Sequence, residues 1–311
     1  MNNIKITINE FIDSYNEEEK DYFLSEIKKL HSIISKYPEV RTYRYISDLT
    51  HQYYSKLNDY IKLDEINYKI HQKFHLLLLI KDSINRIESA NYPNNIKEYF
   101  KKYYERTVKN IINDKIAKKS YNYKSGRFLK MQSVCTLFTF PIDPFILDSG
   151  KISLRFLFYN NIKQFFKGIY FIIFKFKGIS PFYNTHTNLL DVDSMKSFTE
   201  NGWRSMFLNL AELMKHQKDI KGVCGTSWFI DPIIKDISPR LSYINNLLTE
   251  IGVSIFPHNT TEQTIKDALF LNSERKKLYE NGDYKPRNHL FVVTRSELIK
   301  WGETQKDNST L

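Results

Sequence analysis

The chain has 311 residues, 41% of them hydrophobic and 15% aromatic, with 21 Tyr and 22 Phe against 10 Gly and 9 Pro; this composition supports a full core and excludes a disordered or low-complexity protein. Two cysteines, Cys135 and Cys224, are too few for a disulfide framework, and with no secretory-type leader at the start the expected compartment is a reducing cytoplasm. The formal net charge of +11 points to an anionic partner only where the cations cluster.

Residues 8 to about 35 set Phe11, Tyr15, Tyr22, Phe23, Ile27, Leu30 and Ile34 at helical spacing, with Glu17, Glu18 and Glu19 near one end. The spacing predicts an amphipathic helix ended by Pro38. Helices over about 41–61 and 64–90 follow, the second with Ile66, Ile70, Phe74, Leu77, Leu78 and Ile84 as its apolar face, until ANYPNN breaks the pattern. His71 and His75, four apart on that helix, share a face and would supply half of a metal site; a packed or solvated pair is the plainer reading.

A fourth helix over about 94–118 carries Ile96, Tyr99, Phe100, Tyr103, Tyr104, Val108, Ile111 and Ile112 on one side and a basic run on the other. From Asn94 to Lys130, eleven Lys and Arg, among them Lys101, Lys102, Arg106 and Lys109, stand against Glu98, Glu105 and Asp114. The helix is therefore a candidate nucleic-acid or anionic-surface interface, with tyrosines stacking on bases and lysines holding phosphates. A solvated basic face over a packed aromatic one is the alternative.

After SYNYKSGR the texture turns to apolar, β-branched and aromatic runs, SVCTLFTFPIDPF, KISLRFLFY, GIYFIIFKFKG and PFYNTHTN, which read as strands. Residues 152–180 are the most apolar, but Arg155, Lys163, Lys167, Lys175 and Lys177 interrupt the run of roughly 20 apolar residues that a membrane span needs. Their Phe, Ile and Lys suit a buried strand pair or core helix, or a face lying on a membrane surface or partner. From residue 199, helix and strand patterns alternate: a helix with Trp203, Met206, Phe207, Leu210 and Leu213, a strand near 222–230, a helix from Ser238 to Ile251, the strand VSIF, a helix through DALFLNSERKKLYENG and the strand HLFVVT. Alternation of this kind signals layered packing of helices on a sheet.

The stretch IKGVCGTSWFIDP, Ile220 to Pro232, reads as a central strand whose small residues allow close approach of another backbone or a ligand. Within it Cys224 and Ser227 are nucleophile candidates if activated by His186 or His258, and packed small residues otherwise. Beyond it, Ser238 fits an N-cap, Pro239 the first helical position and Gly252 the left-handed stop. Strand, loop and helix start is a geometry in which backbone amides hold phosphate, with Arg240 adding a charged fork; an ordinary capped helix has the same pattern. His186, near Asp191 and Asp193, is a candidate general base or metal ligand, or a hydrogen-bonded strand residue.

Residues 221–294, read as strand GVCGTSWFI, helix SPRLSYINNLLTEIG, strand VSIFP, helix SERKKLYENGDY and strand HLFVVT, resemble the C-terminal half of GNAT-type N-acyltransferases. KKLYENGDY is the closest piece, similar to that family's Leu-Tyr-Glu signature. The resemblance implies that Tyr279 protonates the departing CoA thiolate, that the CoA pyrophosphate lies on amides before the helix begun by SPRLSY, and that the pantetheine runs along a splayed strand.

The expectation is an α+β (or α/β) protein: a helical region over 1–125 with a basic last helix, then a mixed sheet flanked by helices over 126–311, GNAT-like if the resemblance holds. The function expected is transfer of an acyl group from acyl-CoA or a related thioester to a small-molecule or peptide amine. Tyr279 and His186 would be acid and base, and Ser238, Arg240, Gly225 and Trp228 would hold the acyl-CoA, with no metal. The alternative is a non-catalytic nucleic-acid or anionic-surface binder using helix 94–118.

Overall fold

The computed structural model describes residues 1–18, 20–21, 24–25, 65–90, 92–113, 126–187, 191–270 and 272–309. The helix expected over 41–61, the second half of the first helix, and Lys115, Lys118, Lys119 and Lys124 lie outside them. The chain divides into two compact units, Met1–Ile142 and Asp143–Leu311.

The first unit is helical. In α1 (Asn2–Asp13), Ile4, Ile8 and Ile12 recur every fourth residue and form one buried stripe. α2 (Glu65–Ser89) buries Phe74, Leu77, Ile80, Ile84 and Ile87, and α3 (Asn94–Ile112) buries Ile96, Phe100, Tyr103, Tyr104, Val108 and Ile111. The fully buried Tyr104 hydroxyl shares a 2.6 Å hydrogen bond with Ser83 Oγ and donates to the Val134 carbonyl at 3.3 Å, so α2 and α3 meet α4 (Gly126–Cys135) through a satisfied polar group. Strand β1 (Thr139–Ile142) closes the unit.

The second unit carries β2 (Phe145–Gly150), β3 (Phe182–Thr187), β4 (Gly222–Ser227), β5 (Ser254–His258) and β6 (Asn288–Thr294), in the spatial order β2-β3-β4-β6-β5. β2 and β3 are antiparallel, β3 and β4 parallel, and β6 lies antiparallel to both β4 and β5. The chain is thus of the α+β class with a mixed sheet, as expected.

Its helices are α5 (Ile162–Tyr170), the short α6 (Val192–Met195), α7 (Glu200–His216), the short α8 (Ile234–Ile237), α9 (Ser242–Ile251), α10 (Glu262–Leu269), α11 (Ser273–Glu280) and α12 (Arg295–Ser309). On one sheet face Phe182, Cys224, Leu290, Val292 and Phe256 pack with Ile152, Phe156 and Phe176. On the other, Phe291 meets Phe207 of α7, whose buried Trp203 sits among Phe145, Phe198 and Phe229. Arg204 donates two 2.8 Å bonds to Glu250, and Trp301 Nε1 donates a third at 2.9 Å, which ties α7, α9 and α12 together.

Three expectations are corrected. The runs KISLRFLFY and GIYFIIFKFKG, read as strands, hold a 3₁₀ turn (Leu154–Phe158), the end of α5 and a π-helical turn (Phe171–Lys175). The single helix read through DALFLNSERKKLYENG is two, because Phe270 turns extended and the Asn272 side chain caps α11 by accepting from the Arg275 amide at 2.7 Å. The helix read from Ser238 begins as a 3₁₀ turn over Pro239–Leu241, and Ser238 makes no capping bond; the Gly252 stop is present, at φ 82°.

Candidate functional site

The parallel ladder between β3 and β4 runs through Tyr183↔Val223 and Asn184↔Cys224 and ends there, whereas β4 and β6 stay in register from Gly222↔Thr294 to Ser227↔His289. Both parallel strands continue three residues further, to Thr187 and Ser227. A cavity of about 570 Å³ opens at these ends, and Thr187, Thr226, Ser227 and Trp228 form its strand-side wall. Crevices at the carboxyl ends of adjacent parallel strands are the usual ligand positions in open sheets of this kind.

Met195, Phe198, Phe229, Leu241 and Tyr243 give the cavity an apolar side; Arg240, Arg275, Thr264, Asp267 and Asn288 give it a polar one. Arg275 is 3% exposed. Its Nε donates to the Ala268 carbonyl at 2.6 Å and its Nη1 to Ser238 Oγ at 2.9 Å, and its guanidinium lies 4.6 Å from the centre of the Trp228 ring. All these partners are neutral, so a buried cation borders the cavity without carboxylate compensation among them. Burial first, and then the charge of Arg240, lowers its pKa; an arginine there still stays protonated. The pair is suited to a phosphate or carboxylate, which arginine forks bind through charge-assisted hydrogen bonds.

Beside this wall sits a second constellation. Ser227 and His289 are direct antiparallel partners, so their side chains share a sheet face. His289 is buried, and its Nδ1 lies 3.8 Å from Oδ2 of the buried Asp231. Burial holds His289 below the usual imidazole range while Asp231 opposes the shift. Tyr243, a cavity residue whose hydroxyl donates to the Phe198 carbonyl at 3.3 Å, has its pKa pushed up to about 12 by burial and then by Glu200. It keeps its proton at neutral pH.

Of the residues singled out in the sequence, Arg240 and Trp228 line the cavity together. Ser238 is buried behind it and orients Arg275. Gly225 is a packing position: a Cβ there would lie 2.6 Å from Phe291 Cε1 and closer still to Thr185 Oγ1. His186 shares its sheet face with Asn184 and Cys224, opposite to that of Thr185 and Thr187. There its Nε2 bonds Asp148 Oδ2 at 3.0 Å, and it is outside the cavity lining. Tyr279, one helical turn past Arg275 and 38% exposed, is also outside it.

Cys224, read as a nucleophile candidate, is buried and donates its thiol to Asn184 Oδ1 at 2.9 Å. Burial raises its pKa far above neutral, so it is no thiolate. His258, the other activator considered, bonds Ser153 Oγ at 3.0 Å on β5. Asp191 caps α6 by accepting from the Ser194 amide at 3.1 Å, and Asp193 pairs with Lys196 at 2.6 Å. The His71 side chain is outside the described residues, among which no group of three or more His, Cys, Asp or Glu stands close enough to hold a metal.

Along α3, Lys102 and Lys109 are exposed and Lys101 pairs with Glu98 at 3.6 Å, but Tyr103 and Tyr104 are buried. Those two tyrosines are not available to stack on bases. Arg275 was missed because a basic residue in a polar helix looks solvated; Asn272 caps the short helix that carries it, and the side chain turns in to Ala268 and Ser238.

Comparison with protein-family models, with curated proteins and with solved structures gives no match for this chain.

Proposed function

We propose that the second unit is an acyltransferase that moves an acyl group from an acyl-CoA or related thioester to an amine acceptor. The observation that carries this reading is the cavity at the point where β3 and β4 cease to pair, bordered by Arg240 and Arg275. The phosphates of the thioester bind the two guanidiniums, and the arm leading to the sulfur runs along the wall formed by Thr187, Thr226 and Ser227. The amine attacks the thioester carbonyl; the C–N bond forms and the C–S bond breaks. His289, held neutral by burial and beside Asp231, takes the amine proton, and the thiolate leaves as the anion, accepting a hydrogen bond from the protonated Tyr243 hydroxyl. Tyr279 and His186 have no part in this scheme. The buried, free thiols Cys135 and Cys224 support a reducing cytoplasm as the compartment.

The test is a thermal-shift titration with acetyl-CoA and longer acyl-CoAs, followed by mass spectrometry of an amine panel. Stabilisation by acyl-CoA that Arg240→Ala weakens about tenfold or more supports the reading, because Arg240 is exposed and its loss leaves the fold intact. No shift with any thioester, or an equal shift in Arg240→Ala, overturns it. Binding without transfer to any amine keeps the site and rejects the reaction.

A further inference from the structure

The segment between β2 and β3 has two apolar faces. One is docked: Phe165, Ile169, Phe171 and Ile172 pack against the core, the buried Gln164 amide donates to the Phe156 and Pro257 carbonyls, and Gly168 lets the helix approach Phe156 and Leu157. The other face is bare. Phe158, Ile162, Phe166, Tyr170, Ile173 and Phe174 are 57–77% exposed. They are contiguous, since Ile162, Phe166 and Tyr170 repeat every fourth residue along α5 and the Tyr170 and Phe174 rings lie 5.1 Å apart. The π-helical turn then carries Ile173 and Phe174 outward while Phe171 and Ile172 stay inward.

The segment's own charges have one sign. No Asp or Glu occurs from Ser149 to Leu190. Lys151, Arg155, Lys163, Lys167 and Lys177 are exposed, Lys163 and Lys167 directly following two of the exposed apolar residues; Lys167 Nζ also lies 5.8 and 5.7 Å from the centres of the Phe171 and Phe256 rings, and Lys175 is paired with Glu297 at 2.8 Å.

We propose that this face seats the protein on an anionic phospholipid surface, with the helix in the plane of the interface, its apolar stripe in the headgroup–acyl boundary and its lysines on lipid phosphates. A stripe of large apolar side chains flanked by cations on a helix too short to span is the pattern of interfacial helices. Among the described residues no helix is long and apolar enough to cross a membrane. The charge argues against a second copy of the chain, because a two-fold interface would set the same cations against one another. The aliphatic Ile162 and Ile173 argue against nucleic acid, which uses aromatic faces for stacking.

The experiment is co-sedimentation of the full chain with vesicles of phosphatidylcholine alone or with 30% phosphatidylglycerol. Binding to the anionic vesicles, at least tenfold weaker on pure phosphatidylcholine and reduced by 0.5 M NaCl, is expected. The exposed-residue variants Phe166→Ser with Phe174→Ser, and Lys163→Glu with Lys167→Glu, should each weaken it about tenfold or more with unchanged melting temperature. Phe166→Trp should show a blue-shifted emission quenched by brominated lipid. Absence of binding to anionic vesicles at low salt, binding that both double variants retain, concentration-dependent dimerisation abolished by Phe166→Ser, or preferential retention of a single-stranded oligonucleotide would each overturn the proposal.

Discussion

Gly225→Ala tests whether Gly225 is a packing position that lets Thr185 of β3 and Phe291 of β6 approach β4 closely. The new Cβ would stand 2.6 Å from Phe291 Cε1 and closer to Thr185 Oγ1, where 3.4–4 Å is ordinary contact. Thr185 can turn about χ1, but the Phe291 ring is 2% exposed and packed against Phe207. Overpacking of this kind costs about 1–3 kcal/mol, against which alanine returns about 0.5–1 kcal/mol of unfolded-chain entropy. The net loss, about 0–2.5 kcal/mol and centred near 1 kcal/mol, corresponds at its centre to a Tm lower by roughly 2–4 °C for a unit of this size. Calorimetry measures it, and Phe291→Leu in the same chain should recover part of the loss through a favourable coupling energy. A Gly225→Ala chain as stable as the parent, or a loss that Phe291→Leu merely adds to, would refute the packing argument and return Gly225 to a ligand-contact role.

Burial lowers the pKa of both His258 and His289 below the ordinary 6.5. The unfolded chain therefore binds these protons first, and stability present above pH 6.5 is lost as the pH falls below it. Melting curves from pH 7.5 to 5.5 should show a falling Tm, with a shallower slope in His289→Gln; a flat profile would contradict the assignment. Tyr104→Phe should cost about 1–2 kcal/mol in urea unfolding of the first unit, since Ser83 and Val134 lose a buried partner. Glu250→Gln, about a third exposed with its Arg204 partner, should cost only about 0.5–1 kcal/mol and less in 1 M NaCl. Trp203→Ala, which removes a fully buried ring, should cost about 3–5 kcal/mol by calorimetry.

The strands were legible where alternation or small residues bounded by turns left one reading. Strands form within PFYNTHTN, VSIF and HLFVVT, and Gly252 stops its helix; the strand read as GVCGTSWFI ends at Ser227, where Trp228–Ile230 turn into a 3₁₀ helix. The runs KISLRFLFY and GIYFIIFKFKG misled because their density of Phe, Ile and Tyr resembles a buried strand, although Ile162, Phe165, Phe166, Ile169 and Tyr170 fall at helical spacing along α5. Helix α12 went unread, although Thr294 and Glu297 spell a capping box: the Thr294 amide donates to Glu297 Oε2 at 3.1 Å and the Glu297 amide to Thr294 Oγ1 at 3.3 Å. At the site, Arg240 and Trp228 were legible from their place next to a strand end. Arg275, Tyr243 and His289 were not, because their roles depend on cross-strand register and on which side of a short helix turns inward.

The order β4-β6-β5 sets a constraint on folding. The last strand in sequence, β6, fills the slot between two that precede it by more than 25 residues, and β4 and β5 have no ladder to each other until it arrives. That half of the sheet therefore closes late, through contacts of long sequence separation, and both strand edges stay unpaired in the meantime. A nick in the exposed turn at Asn281–Asp283 would leave the native fold standing while denying the chain its way back once unfolded.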